Sequence, residues 1–240
     1  MDYYNWSFFI AALFFLACGG YVYISVRMIT GSFKSKLHRE HLAAVVCVVF
    51  SSLFYGLMTI AENESALWFF WAAGYISYFM FLPAWIRFTS NMFTIKHKVT
   101  KRMVRSVLII ISLLLSVTGV LSGNVVFVDT KYGNQFSFDG SLFFKIIGIY
   151  VFMLCILVFV SHIRWWRESK MERQRVQQQR FLILTFLFAP IGFITDFVIP
   201  AFTSSTVTPL VSILLFPAGL QLYISMQKNK TLNITAPNVS

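Results

Sequence analysis

Long apolar runs separated by short clusters of charge dominate the chain. Seven runs each approach the roughly 20 mainly apolar residues that a helix needs to cross a bilayer. They lie at 6–26, 42–61, 66–88, 103–122, 142–163, 181–200 and 207–226. Most connections are short, so the pattern predicts an all-α membrane protein: one seven-transmembrane helix bundle over residues 1–226, with no second domain. Between the fourth and fifth runs the pattern changes. Val126 and Val128, then Phe136 and Phe138, alternate around Tyr132-Gly133-Asn134. That predicts a small extracellular β-hairpin lying over the outer mouth of the bundle. The stretch 164–180 is charged, Gln-rich and free of Gly and Pro, and it extends the fifth and sixth helices.

The polar positions orient the bundle. Arg27, Lys34, Lys36 and Arg39 follow the first run, and six basic residues between Arg87 and Arg105 follow the third. Six more between Arg164 and Arg180 follow the fifth, and Lys228 and Lys230 follow the seventh. Eighteen of the 20 basic residues thus fall on one side, with only Lys131 and Lys145 on the other. The basic side is expected to be cytoplasmic, which places the N-terminus outside and the C-terminus inside a cell (inner or cytoplasmic) membrane. Residues 1–6 lack the basic flank of a signal peptide, so the first run reads as a retained helix.

Composition agrees: 58% of residues are hydrophobic and 12% charged, against about 25% charged in a soluble domain. The net charge of +11 would suit nucleic acid only if it lined one soluble face. Here it punctuates apolar runs, and the expected partner is the lipid bilayer.

Asp196 is the only acidic residue inside a run. An ionised carboxylate in hydrocarbon costs about 2.5–3.5 kcal/mol on insertion scales, so it should face protein or water. Two readings compete: a ligand or ion contact in an outward-facing cavity, and a structural ion pair, for which Lys145 is the natural partner. Thr185, Ala189, Gly192 and Asp196 share one helical face, where small residues permit close packing. Trp68, Trp71, Tyr75 and Tyr78 form a stripe on the third helix. Such a stripe reads either as a pocket wall or as core packing, though phenolic hydroxyls at depth want partners. Tyr55 and Thr59, Tyr150, and Ser212 could line the same outer half. Pro83, Pro190 and Pro217 fall within the third, sixth and seventh runs, where proline can kink a helix.

Other features point away from catalysis. Cys18, Cys47 and Cys155 lie in apolar runs and read as buried packing. His162 sits at the inner boundary, and the other three histidines read as solvated residues of inner loops. The seventh run has no lysine to anchor a retinal. No run carries paired carboxylates or a histidine cluster for a metal. No enzyme active site, metal or cofactor is expected.

The stretch 70–75 (Phe-Trp-Ala-Ala-Gly-Tyr) and 82–85 (Leu-Pro-Ala-Trp) resembles the N-terminal seven-helix sensory region of prokaryotic membrane histidine kinases. So do the hairpin with Tyr132-Gly133, the basic lead-in 177–180, and Pro190, Gly192 and Asp196 in the sixth helix, where that family tends to carry an amide. The resemblance implies a sensory domain with an unknown small-molecule or peptide ligand. It implies an output module in the same chain, a kinase or diguanylate cyclase, after a linker that starts in 227–240, and a possible homodimer. The ligand site would combine Asp196, Tyr75, Tyr78, Trp71, Tyr55, Tyr150, Ser212 and Lys145. The alternative is a small seven-helix transporter, although the runs show no convincing internal repeat.

Overall fold

Apolar runs bounded by caps and charged turns fold as helices in the computed structural model, which describes residues 4–30, 36–91, 98–168, 172–203, 205–206 and 208–229. The elements are α1 (Tyr4–Thr30), α2 (Lys36–Thr59), α3 (Glu64–Thr89), α4 (Lys98–Leu121), β1 (Val125–Thr130) and β2 (Gly133–Phe138). They continue with α5 (Leu142–Glu168), α6 (Glu172–Phe193), a π-helical turn (Ile194–Val198), α7 (Ile199–Phe202), α8 (Val211–Leu214) and α9 (Phe216–Asn229). The basic loop residues Lys34, Lys96, Lys170 and Lys230, and all but the first three residues of the proposed linker, lie outside the described residues.

Among the described residues, five helical stretches are long and apolar enough to cross a membrane: Trp6–Thr30, His38–Thr59, Glu64–Thr89, Leu142–Glu168 and Gln178–Phe202. Two shorter apolar helices cover Ser106–Leu121 and Val211–Ile224. Large apolar side chains stay exposed along these helices, including Leu16 on α1, Leu114 on α4, Met153 on α5 and Phe186 on α6. Soluble monomers rarely expose large contiguous apolar patches, and this exposure along several long helices fits a multi-pass membrane protein.

Local chemistry sets the helix boundaries. Asn63 caps α3, its side chain accepting from the Ser65 N–H at 2.8 Å, so Asn63-Glu64-Ser65 acts as a helix start. The expected extension of the fifth and sixth helices is present, with α5 reaching Glu168 and α6 beginning at Glu172. The last two apolar runs are not continuous α-helices. The sixth widens into the π-helical turn just after Pro190 and ends in α7. The seventh begins only at Val211 and breaks at Leu215. Pro217 is therefore the second residue of α9 rather than an interior kink. In a first helical turn its missing N–H costs nothing, since no intrahelical acceptor awaits it.

The helices connect at a hairpin end and at a basic end. α2 packs between α1 and α3, α3 meets α4 and α5, α5 meets α6, and α6 and α1 both meet α9. At the basic end the buried Glu40 of α2 accepts from Arg87 Nε at 3.3 Å and also from Asn91, which ties α2 to the end of α3. Glu40 precedes the predicted second run, and sequence gave no sign of this clamp.

The hairpin forms as expected, with antiparallel pairing from Val125↔Phe138 to Thr130↔Gly133. Its register separates the two apolar pairs that the sequence pattern grouped. Phe136 faces the same way as Phe127 and is buried with Phe138, whereas Val126 and Val128 are exposed. β2 is tucked into the bundle rather than laid across it. Gln135 and Ser137 on its other face are buried as well, reaching Thr208 Oγ1 at 2.8 Å and the Pro200 carbonyl at 3.4 Å. Asn134 Nδ2 donates to the carbonyls of Met58 (3.1 Å) and Ala61 (2.7 Å), satisfying the open end of α2. Gly133 adopts φ 90°, and a Cβ there would sit 2.4 Å from the Thr59 carbonyl oxygen. Gly123 is also left-handed (φ 67°) but has open space around it. Gly123→Ala should therefore cost about 1–2 kcal/mol, the left-handed penalty alone. Gly133→Ala should cost about 1–3 kcal/mol more from overpacking. Unfolding midpoints of the two variants in one detergent measure the difference.

Candidate functional site

Most of the sequence-predicted site residues fall into two groups. Tyr55, Trp71 and Tyr75 are buried at the hairpin end, where β2 fills the space between them. Phe136 stacks on Tyr55 (centroids 6.2 Å apart) and meets Trp71 edge-on at 6.1 Å. Phe138 contacts Tyr75 at 6.3 Å and stacks on Phe144 of α5 at 3.9 Å. The outer-half pocket expected from depth alone is thus occupied by the protein's own phenylalanines. Trp68, placed on the same stripe, is 41% exposed and stands at the edge. The indole N–H of Trp71 and the Tyr75 hydroxyl have no hydrogen-bond partner among the described residues.

The second group surrounds Asp196. Its Oδ1 accepts from the Leu210 N–H at 2.7 Å, the Val211 N–H at 3.3 Å and Thr195 Oγ1 at 2.8 Å, and its Oδ2 accepts from the Val211 N–H at 3.3 Å. The carboxyl group thus caps α8, whose first amide groups have no intrahelical acceptors. Lys145 is not among its partners, so the expected ion pair does not form. Gly192, one turn earlier, is what allows this approach, since a Cβ there would sit 2.8 Å from Val211 Cα. Tyr78 stacks on Phe197 at 5.3 Å, and the buried Ser212 follows Val211. Tyr150 belongs elsewhere. Its hydroxyl bonds Ser112 (2.8 Å) and the Leu108 carbonyl (3.3 Å), joining α5 to α4.

The third feature was not foreseen. A cavity of about 70 Å³ opens in the half of the bundle nearer the basic end, walled by residues of α1, α2, α3, α5, α6 and α9. Tyr21, Val45, Leu82 and Ala218 give it an apolar lining, and Thr185 and Ala189 bring the small-residue face of α6 to it. His41 also lines it and is 1% exposed. The expectation of solvated loop histidines is therefore corrected for His38 and His41, both buried at the start of α2, while His97 lies outside the described residues. Because residues 38–41 are already helical, these side chains are carried into the bundle rather than into a loop. His162 is buried too, accepting from Trp85 Nε1 at 3.3 Å and stacking on Phe181 at 5.0 Å. His41 Nδ1 contacts Met28 Sδ at 3.2 Å, while His41 Nε2 and Thr185 Oγ1 have no hydrogen-bond partner among the described residues. Among the described residues, no three His, Cys, Asp or Glu side chains are grouped to hold a metal.

No protein-family model matches the chain, and no curated protein shows significant similarity to it.

Asp196→Leu should destabilise the fold by about 2–6 kcal/mol, because the N–H groups of Leu210 and Val211 lose their acceptor at about 1–3 kcal/mol each. Asp196→Asn retains an acceptor oxygen and should cost about 1 kcal/mol. Thermal unfolding with hydrogen exchange at Leu210 and Val211 separates the two, and equal losses would contradict a capping role. Tyr75→Phe removes only an unpartnered hydroxyl and should change stability by less than about 0.5 kcal/mol, read from the same melts.

Proposed function

We propose that the chain is the sensory domain of a membrane receptor that binds its ligand in the cavity toward the basic end and relays a helix rearrangement to the cytoplasm. The observation that carries this reading is the cavity wall. A ligand there would touch α1, α2, α3, α5, α6 and α9 together, all the long helices except α4. Occupancy would thus bias the relative positions of the helices that reach the basic side. Only a ligand that binds two helix arrangements with different affinity can drive such a shift.

The same reading has the chain cross an inner, cytoplasmic membrane seven times, with the N-terminus outside. The length of α4, 24 residues or about 36 Å at 1.5 Å per residue, supports a sixth crossing with its basic first turns at the interface. The α8–α9 stretch supports a seventh, at about 28 Å over residues 211–229. The crowding of Lys and Arg at one end supports the orientation. A kinase or diguanylate cyclase module, joined through α9 and working as a dimer, completes the proposal. In it this segment carries no catalytic step of its own.

A transporter would also use broken helices beside a polar group, and the interruptions around Asp196 are such a feature. The π-helical turn and the α7–α8 break lie toward the hairpin end, and only the break at Leu215 borders the cavity, whose wall of six helices favours the receptor. Substrate flux in proteoliposomes would reverse that preference.

Filling the cavity tests the receptor without a known ligand. With the native cysteines replaced, spin labels at Arg164 on α5 and Ile224 on α9, both exposed, report helix separation in nanodiscs. Ala218→Leu, which places a larger side chain in the cavity, should change the populations of two distances relative to the parent. A single distance identical in both proteins would overturn the receptor reading.

A further inference from the structure

We infer that the cavity takes, laterally from the bilayer, a small lipophilic molecule carrying a hydroxyl group, with His41 and Thr185 as its polar contacts. The inference rests on the reading of the chain as a membrane receptor and names the ligand class of the same site.

The first observation is the direction in which the cavity opens. Its lining residues from α1, α2 and α3 are buried. The half-buried ones are Cys155 and Phe159 of α5, Ala189 of α6, Leu215 just before α9 and Gly219 in its first turn. The mouth therefore flanks α6, which packs against both α5 and α9. Around it α6 presents Ile183, Phe186 and Leu187, all more than half exposed. A solute entering here comes through an apolar surface, so it must be lipophilic.

The second observation is the pair of buried polar atoms. An unsatisfied polar group in a low-dielectric interior is costly, and two line this one cavity: His41 Nε2 and Thr185 Oγ1. Met28 Sδ has no proton to give. In the neutral ring, the 3.2 Å contact therefore puts the proton on Nδ1 and leaves Nε2 as an acceptor. Thr185 Oγ1 both donates and accepts. A hydroxyl is the smallest group that donates to the imidazole and accepts from the threonine. The volume, about 70 Å³, is several times the ~10–15 Å³ that one water needs and about half the ~150 Å³ of an apolar cavity that admits benzene. A hydroxyl with a few carbons fits inside, and a longer tail passes out beside α6 into the lipid.

Photolabelling in nanodiscs tests this with two probes, an octanol and an octane bearing the same diazirine, mapped by peptide mass spectrometry. The alcohol should label peptides lining the cavity about 3–10-fold more than the alkane, the preference that one hydrogen bond confers. The double variant His41→Leu with Thr185→Val should bring that ratio to about one. Ala189→Phe, which narrows the mouth, should reduce labelling by both probes. Helicity and elution volume check that each variant folds. Equal labelling by both probes, a preference that survives the double variant, or labels confined to outward residues such as Phe186 would each overturn the inference. Such a failure beside a distance change in Ala218→Leu removes only this ligand class. Alcohol labelling in a protein whose helix distances never change leaves the site and removes the receptor reading.

Discussion

Backbone that leaves the helical ladder inside an apolar layer has no water to bond, and every exposed N–H or C=O must find a partner within the protein. The arrangement at the hairpin end follows from that constraint. The chain breaks twice there, at the close of α2 and between α7 and α8. Each break is met by one side chain. Asn134 reaches down to the carbonyls of Met58 and Ala61, and Asp196 receives the amides of Leu210 and Val211. Moving either acceptor or donor would leave buried groups unpaired at about 1–3 kcal/mol apiece. Asp196 is thus held in place by what it satisfies.

Those two polar anchors make the aromatic packing possible. With Asn134 fixed to α2 and Gln135 to Thr208, the next residues of β2 are directed into the bundle, where Phe136 and Phe138 meet Tyr55, Trp71, Tyr75 and Phe144. The hairpin end is consequently filled. Toward the basic end no strand enters among the described residues, and six helices meet around Ala189, Ala218 and Gly219 without closing completely. Small residues on α6 serve opposite purposes along one face. Gly192 allows α8 into direct contact, whereas Ala189 leaves space unfilled.

Much of this was readable from residue pattern. Apolar length announced the long helices, because lipid-exposed positions stay hydrophobic all round. The alternation around Gly133 announced the hairpin, and the small-residue periodicity of 185–196 identified the inward face of α6. Three things were not readable. Strand register decides which of Val126 and Phe136 turns inward, and a two-residue period cannot say so, since both strands alternate alike. The partner of Asp196 is a backbone amide fourteen residues along, and backbone groups leave no trace in composition. The buried state of His41 depends on α2 starting before its apolar run does, so a charged-looking stretch containing Lys36, Arg39 and Glu40 concealed a side chain directed at the cavity.

The contrast between the two ends bears on how a ligand signal could travel. The hairpin end is cross-braced by hydrogen bonds that a modest binding energy would have to break, whereas the cavity wall consists mainly of apolar contacts. Such contacts have no directional partner to lose when helices slide. In lipid, where apolar burial itself favours neither arrangement, small differences in packing decide between them. The braced end then acts as a fixed frame, and the helices that line the cavity can shift against it. α6 is the element through which both halves are linked, since its face carries Thr185 and Ala189 at the cavity and Gly192 and Asp196 at the brace. Asp196 itself sits in the π-helical turn that continues α6. In the proposed receptor, a shift of α6 at the cavity would therefore be directed toward the basic end, where its own first turns and the last turns of α9 lie, and away from the end where Asp196 pins it.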